Sequence, residues 1–192
     1  LLAPVAGGFD GQWASFAGTV GLQVGSAGTV ATGFSGQVST GWTTVRQSGS
    51  DALALAKAAR TDVPGAEWVT ATASTASTAD QWDIKTVAVS IASLGLAVGD
   101  TAQFAAELAI DSASAAGPFE PTWRFVEPNG YAQATVADGT IKTTSAHGVM
   151  WYYTPEIVVP AGSVTIEFRL RADVAVGGSA AIKVGRVAYR KA

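Results

Sequence analysis

The chain has 192 residues, 48% of them hydrophobic and 14% charged, with a net charge of −3, one histidine and no cysteine. That apolar share excludes a disordered chain, and the length suits one all-β domain whose core, drawn from Ala and Val rather than long side chains, is thin and finely packed. Lack of any basic stripe excludes nucleic acid as a partner, and no apolar run nears the ~18 residues of a membrane span, so no membrane insertion is expected.

In chain order, residues 1–38 form a Gly/Thr-rich N-terminal arm with the first strands, and 39–192 the core of a single domain. The chain opens on Leu1 without a basic stretch, so no signal peptide is expected and the sequence reads as a piece of something longer or a processed product. Ala17-Gly18-Thr19-Val20 recurs as Ala27-Gly28-Thr29-Val30. The echo fits two similar strand-and-turn pieces, or an extended arm that packs against its own domain or a neighbouring subunit. Residues 52–59 have high helix propensity, yet Leu53 and Leu55 alternate as in a strand, and the turn-rich surroundings favour the strand.

Short strands are predicted at Val87-Val89-Ile91, 104–110, Trp123-Phe125 and 149–159. Between them lie the turns Val98-Gly99-Asp100-Thr101, Pro128-Asn129-Gly130, Ala137-Asp138-Gly139-Thr140 and Pro160-Ala161-Gly162. Ile166, Phe168 and Leu170 alternate with Glu167, Arg169 and Arg171, the period of a strand with one buried face. Gly177-Gly178 predicts a tight hairpin to a last strand through Ile182, Val184, Val187 and Tyr189, with a bulge at Gly185 where the parity slips. Many short strands with legible turns make a sandwich or barrel.

Catalytic chemistry is poorly supplied. His147 has no Gly-x-Ser-x-Gly elbow near it and reads as a loop residue, and one His without Cys cannot build a structural zinc site. No cofactor is called for. A structural calcium stays formally open through Asp10, Asp80, Asp83, Asp100, Asp111 and Asp138, which form no Asp-x-Asp-x-Asp loop. A glycosidase pair could be drawn from Glu107, Asp111, Glu120 and Glu127, but carboxylates on strands ordinarily just face water.

The six tryptophans are more informative. Trp42, Trp68 and Trp82 have small or apolar neighbours and read as packing residues. Trp123 shares a face with Phe125, opposite Thr122 and Arg124. In Met150-Trp151-Tyr152-Tyr153, consecutive residues point to opposite faces, so at least one large ring looks away from the core. Such a ring can stack on a sugar, unless another strand, a loop or another subunit covers it. Tyr131, beyond the Asn129-Gly130 turn, is a second exposed ring. The expected ligand-binding residues are Trp151, Tyr152, Tyr131, Trp123 and Arg124.

Several segments, taken in order, carry a resemblance. They are Val38-Ser39-Thr40-Gly41-Trp42-Thr43, Ala59-Arg60-Thr61-Asp62-Val63-Pro64-Gly65-Ala66-Glu67-Trp68, Gly95-Leu96-Ala97-Val98-Gly99-Asp100-Thr101, Tyr153-Thr154-Pro155, Val159-Pro160-Ala161-Gly162 and Val184-Gly185-Arg186-Val187-Ala188-Tyr189-Arg190-Lys191. The chain resembles the carbohydrate-binding-like β-sandwich domains attached to SGNH (GDSL-type) hydrolases and to tail or spike proteins of phages and prophage-derived particles. The resemblance implies an all-β jelly-roll β-sandwich of two antiparallel sheets that grips host cell-surface polysaccharide. The hydrolase half does not carry over: no Gly-Asp-Ser block is present, and Thr144 stands three before His147 where an Asp-x-x-His block needs Asp.

The expected function is therefore that of a non-catalytic glycan-binding module at the surface of a virion or extracellular particle, presented as a homo-oligomer among other particle or fibre subunits. The rivals are a structural assembly domain and, less favoured, a polysaccharide-modifying hydrolase.

Overall fold

The computed structural model describes residues 13–16, 28–63, 66–73, 77–130, 132–137 and 147–192. Its strands are β1 (Ala14–Ser15), β2 (Ser35–Gly36), β3 (Trp42–Ser48), β4 (Leu53–Ala59), β5 (Glu67–Ala73), β6 (Asp80–Thr86), β7 (Val89–Ser90), β8 (Thr101–Val126), β9 (Ala132–Ala137), β10 (His147–Tyr153), β11 (Ile157–Val158) and β12 (Thr165–Lys191), with one 3-10 turn at Ala92–Leu94.

Two long strands organise everything else. β8 and β12 pair antiparallel from Thr165↔Val126 to Lys191↔Ala102. If β8 were straight, Phe104 and Phe125 would stand about 70 Å apart at the usual rise per residue. Their ring centroids are 5.9 Å apart. The strand pair therefore folds over on itself, and its two halves face each other as the two layers of a jelly-roll sandwich.

The first layer runs β10, the 101–110 half of β8, the 179–191 half of β12, β5, β4 and β2. The second consists of β9, the 119–126 half of β8, the 165–174 half of β12, β6 and β3. Pairing is antiparallel except for the two-residue contact of β2 with β4 and the bridge Thr29↔Thr43. Inward side chains of both layers meet in one core: Leu53, Val69, Phe104, Leu108 and Val184 from one, Trp42, Ile84, Trp123, Phe125 and Phe168 from the other.

The Gly177-Gly178 expectation needs correcting. No hairpin forms, because β12 keeps β8 as its partner on both sides: Val174 opposes Ala116 and Ser179 opposes Ser114. Gly177, at φ 80°, serves a wide bulge at the fold-over instead of a reversal. Likewise 104–110 and Trp123-Phe125 are two ends of one strand.

The segment at 52–59 is a strand. Leu53 and Leu55 are buried and Ala54, Ala56 and Ala58 exposed, and ladder pairing with all of β5 overrides the local helix propensity. Of Val87-Val89-Ile91, only Val89 lies in a strand. The described part of the arm packs on its own domain, with β1 against Ala188 and Tyr189 and Phe16 wholly within the core. The Asp138-Gly139 turn, Ala17-Gly18-Thr19-Val20 and Tyr131 lie outside the described residues.

Candidate functional site

Register places the site. Tyr152 opposes Ala106 and turns with it toward the core, so Trp151, opposite Glu107, takes the outer face of the first layer. On β12 the register slips between Val184↔Leu108 and Val187↔Ala106, so Gly185 and Arg186 together oppose Glu107, the bulge expected at Gly185. On β5, Val69 opposes Val184 and points inward, which turns Trp68 outward beside that bulge. Trp151, Glu107, the Gly185-Arg186 bulge and Trp68 thus form one row across four neighbouring strands.

A buried ion triad binds the row together. Glu107 is 2% exposed in its side chain and accepts from Arg186 Nε at 2.9 Å, Arg186 Nη2 at 3.2 Å and Arg60 Nη1. The backbone N–H of Arg186 also donates to it, at 3.3 Å. Arg60, just past the end of β4, donates from Nε to Asp62 Oδ1 at 3.0 Å and from Nη2 to Asp62 Oδ2. Each guanidinium stacks on one indole: Arg60 Cζ lies 4.2 Å from the Trp68 centroid, and Arg186 Cζ 5.0 Å from that of Trp151. Arg60, Glu107 and Arg186 are covered, whereas Asp62 is exposed and both indoles keep part of their surface open.

Electrostatics agree with a locked triad. Burial pushes the Glu107 carboxyl up, but hydrogen bonds from Arg186 and Arg60 outweigh it and hold the group below its ordinary range. Burial pulls Arg60 down, and Asp62 and Glu107 more than restore it. The bond from Arg60 draws the half-exposed Asp62 to a pKa of about 2. A carboxylate so bound does not serve as a general acid. Asp111 is paired with Lys183 at 2.9 Å, and Glu127 accepts from Asn129 at 2.9 Å.

Beside the row, Trp13 and Tyr153 pack edge to face with centroids 5.5 Å apart, and Tyr153 lies 6.5 Å from Trp151. Arg190 Cζ sits 5.4 Å from the Trp13 ring, and its Nε donates to Gln103 at 2.8 Å.

The four expected ligand residues that are described, Trp151, Tyr152, Trp123 and Arg124, do not come together. Trp151 lies on the outer face as parity required. Tyr152 is half-buried with its ring against the core. Trp123 is corrected outright: it has 0% exposure, packed 5.0 Å from Phe168, and no ligand reaches it. Arg124 belongs to the second layer, where it pairs with Glu167 at 3.2 Å. Trp42 and Trp82 are core residues as read, but Trp68 is not. Its signal lay in Trp68-Val69-Thr70-Ala71, where inward Val69 and Ala71 force the indole outward. Arg60, Glu107 and Arg186 carried no such mark, since only the register of four strands unites them.

Among the described residues, no group of three or more His, Asp or Glu could hold a metal ion. Of the residues weighed for calcium, Asp83 is bound by Arg171 at 2.9 Å and Asp100 by Lys191 at 2.6 Å. Asp10 and Asp138 lie outside the described residues.

No protein-family model matches the sequence, and no curated protein matches it. Solved structures do. The fold is similar to the enzymatically active domain of tailspike protein 4 of bacteriophage CBA120, with a TM-score of 0.55 and 17% identity over 79% of this chain and 19% of that one. It is similar to a carbohydrate-binding module of the β-sandwich superfamily, with a TM-score of 0.51 and 14% identity over 75% of this chain and 54% of that one. A C-terminal family 22 carbohydrate-binding module from Clostridium thermocellum aligns with a TM-score of 0.48 and 16% identity, over 77% and 84%. At such identities the likeness is one of fold. The chain spans about a fifth of the tailspike domain and about half of the superfamily module.

Proposed function

We propose that the domain is a non-catalytic module that binds polysaccharide through the outer face of its first layer. The observation that carries this reading is the row itself: two half-buried indoles, Trp151 and Trp68, three strand spacings or about 14 Å apart, braced by the buried Arg60–Glu107–Arg186 triad, whose second positive charge the exposed Asp62 offsets. Indoles stack on the apolar faces of sugar rings, and neighbouring polar groups bond hydroxyls. A fold shared with a phage tailspike domain and a carbohydrate-binding module supports the same reading.

The biological setting we propose is a phage-like spike, fibre or associated enzyme that recognises a host surface. Shallow sugar sites bind weakly, and a millimolar Kd is worth only about −4 kcal/mol. Display as an oligomer on a many-copy particle raises avidity by roughly 10²–10⁴.

The test is a glycan array of wild type beside Trp151→Ala and Trp68→Ala. Binding by wild type that both substitutions abolish, with the fold kept and the melting temperature only roughly 2–4 °C lower, is the expected result. Equal binding by all three overturns the assignment of this face. No binding by wild type, with Trp151 fluorescence following oligomer state alone, favours an assembly domain. Shortened chains or released acetate after incubation with polysaccharide would establish an enzyme.

A further inference from the structure

Glu107 touches both guanidinium–indole stacks while standing in neither. Its Oε2 accepts from Arg60, whose guanidinium lies on Trp68, and from Arg186, whose guanidinium lies on Trp151. Arg60 follows β4, Trp68 is on β5, Arg186 on β12 and Trp151 on β10, so one carboxylate on β8 joins side chains from four other parts of the layer. We infer that Glu107 is the positioning residue of the binding face: it fixes both guanidinium planes, couples the orientation of Trp68 to that of Trp151, and thereby sets the spacing of the two stacking surfaces.

Three features support a coupling role. The carboxylate is buried, so it acts through the arginines and not on a ligand. Both of its oxygens are engaged, Oε1 by Arg186 and Oε2 by both arginines, so a turn that followed one guanidinium would break the bonds of the other. The main chain closes the arrangement, because the Arg186 N–H donates to the same Oε2 and ties the carboxylate to the bulge. Two platforms held at a fixed spacing bind a rigid glycan without first losing side-chain entropy, whereas two independent rings would each have to be ordered by the ligand.

The importance of Glu107 for recognition presupposes the glycan-binding reading; the coupling of the two rings does not. Protein labelled with 5-fluorotryptophan gives one ¹⁹F line for each of the six tryptophans, and Trp68→Phe and Trp151→Phe identify the two that matter. In Glu107→Gln the Trp68 and Trp151 lines are expected to shift together while those of Trp42, Trp82 and Trp123 stay, and binding of a glycan found on the array weakens by about tenfold. Arg60→Lys, which keeps the buried charge but loses the planar fork, provides the same test should the glutamine variant fold poorly. It should move the distant Trp151 line as well as that of Trp68. If only the Trp68 line moves in Arg60→Lys, or if only one or neither line moves in Glu107→Gln, the coupling is refuted. If both lines move but wild type binds no glycan, the coupling stands and the functional reading falls.

Discussion

Gly185 and Trp68 compete for one volume: a Cβ on Gly185 would lie 2.6 Å from Cζ3 of the indole and 2.8 Å from Oε2 of Glu107. The glycine is therefore fixed by close approach, since only a residue without a side chain lets the ring and the carboxylate meet across the bulge. Gly185→Ala is predicted to displace Trp68 and lower stability by about 1–3 kcal/mol, the usual range for an overpacked site. Urea unfolding measures it, and Gly148→Ala, with open space around the new methyl, is the control. Equal midpoints for the two variants would contradict the packing.

Trp123 and Trp151 should part company under truncation. Trp123 is wholly buried among Phe104 and Phe168, so Trp123→Ala is expected to cost about 3–5 kcal/mol by urea unfolding, as large core deletions do. Trp151 is half-buried at the sheet's outer face, and its loss should cost about 1 kcal/mol while removing glycan binding. Reversed stabilities would mean that the faces of the two layers have been interchanged.

What the sequence made legible was local. Strict alternation around Ile166, Phe168 and Leu170, the parity slip at Gly185 and the split of Trp151 from Tyr152 depend on neighbours one or two residues away, and the fold kept each of them. Gly177-Gly178 misled because a positive-φ glycine serves a bend within a strand as readily as a reversal, and only the partner strand tells the two apart. The site was hidden for the same reason. Arg60 and Glu107 are 47 residues apart, and Glu107 and Arg186 are 79 apart; no local pattern ties such residues together.

In the second layer, Asp83 plays a structural part. Its buried carboxylate accepts from Arg171 Nε at 2.9 Å and Gln47 Nε2 at 2.7 Å, with Arg169 at 3.7 Å. Burial already draws the Arg169 pKa down, so removing the nearby anion leaves a poorly solvated cation behind. Asp83→Ala is predicted to lose about 3 kcal/mol. That loss should change little between about 0.1 and 1 M salt, because buried pairs are weakly screened. A cost that vanishes in high salt would show the cluster to be an ordinary surface pair.

Acid should open the clip that joins Asp51, between β3 and β4, to Ser77 and Thr78, between β5 and β6. Hydrogen bonds from the Ser77 hydroxyl and the Thr78 backbone N–H hold its carboxyl at about 2, against an ordinary 3.8. Asp80, which accepts from the Asp51 N–H at 3.2 Å, is displaced the other way, upward, by burial and then by the charge of Asp51, with Arg46 opposing. A carboxyl whose folded pKa is depressed stabilises the fold above its unfolded value and loses that contribution as pH falls through the folded value. For Asp51 the window is 3.8 down to about 2. A raised carboxyl works in the opposite sense, so protonation of Asp80 above 3.8 relieves strain and does not cause the acid loss. Wild type should therefore melt above Asp51→Asn at neutral pH, with the gap in Tm closing only below pH 3.8. A gap that persists unchanged to pH 2 would show that Asp51 is not held by these bonds.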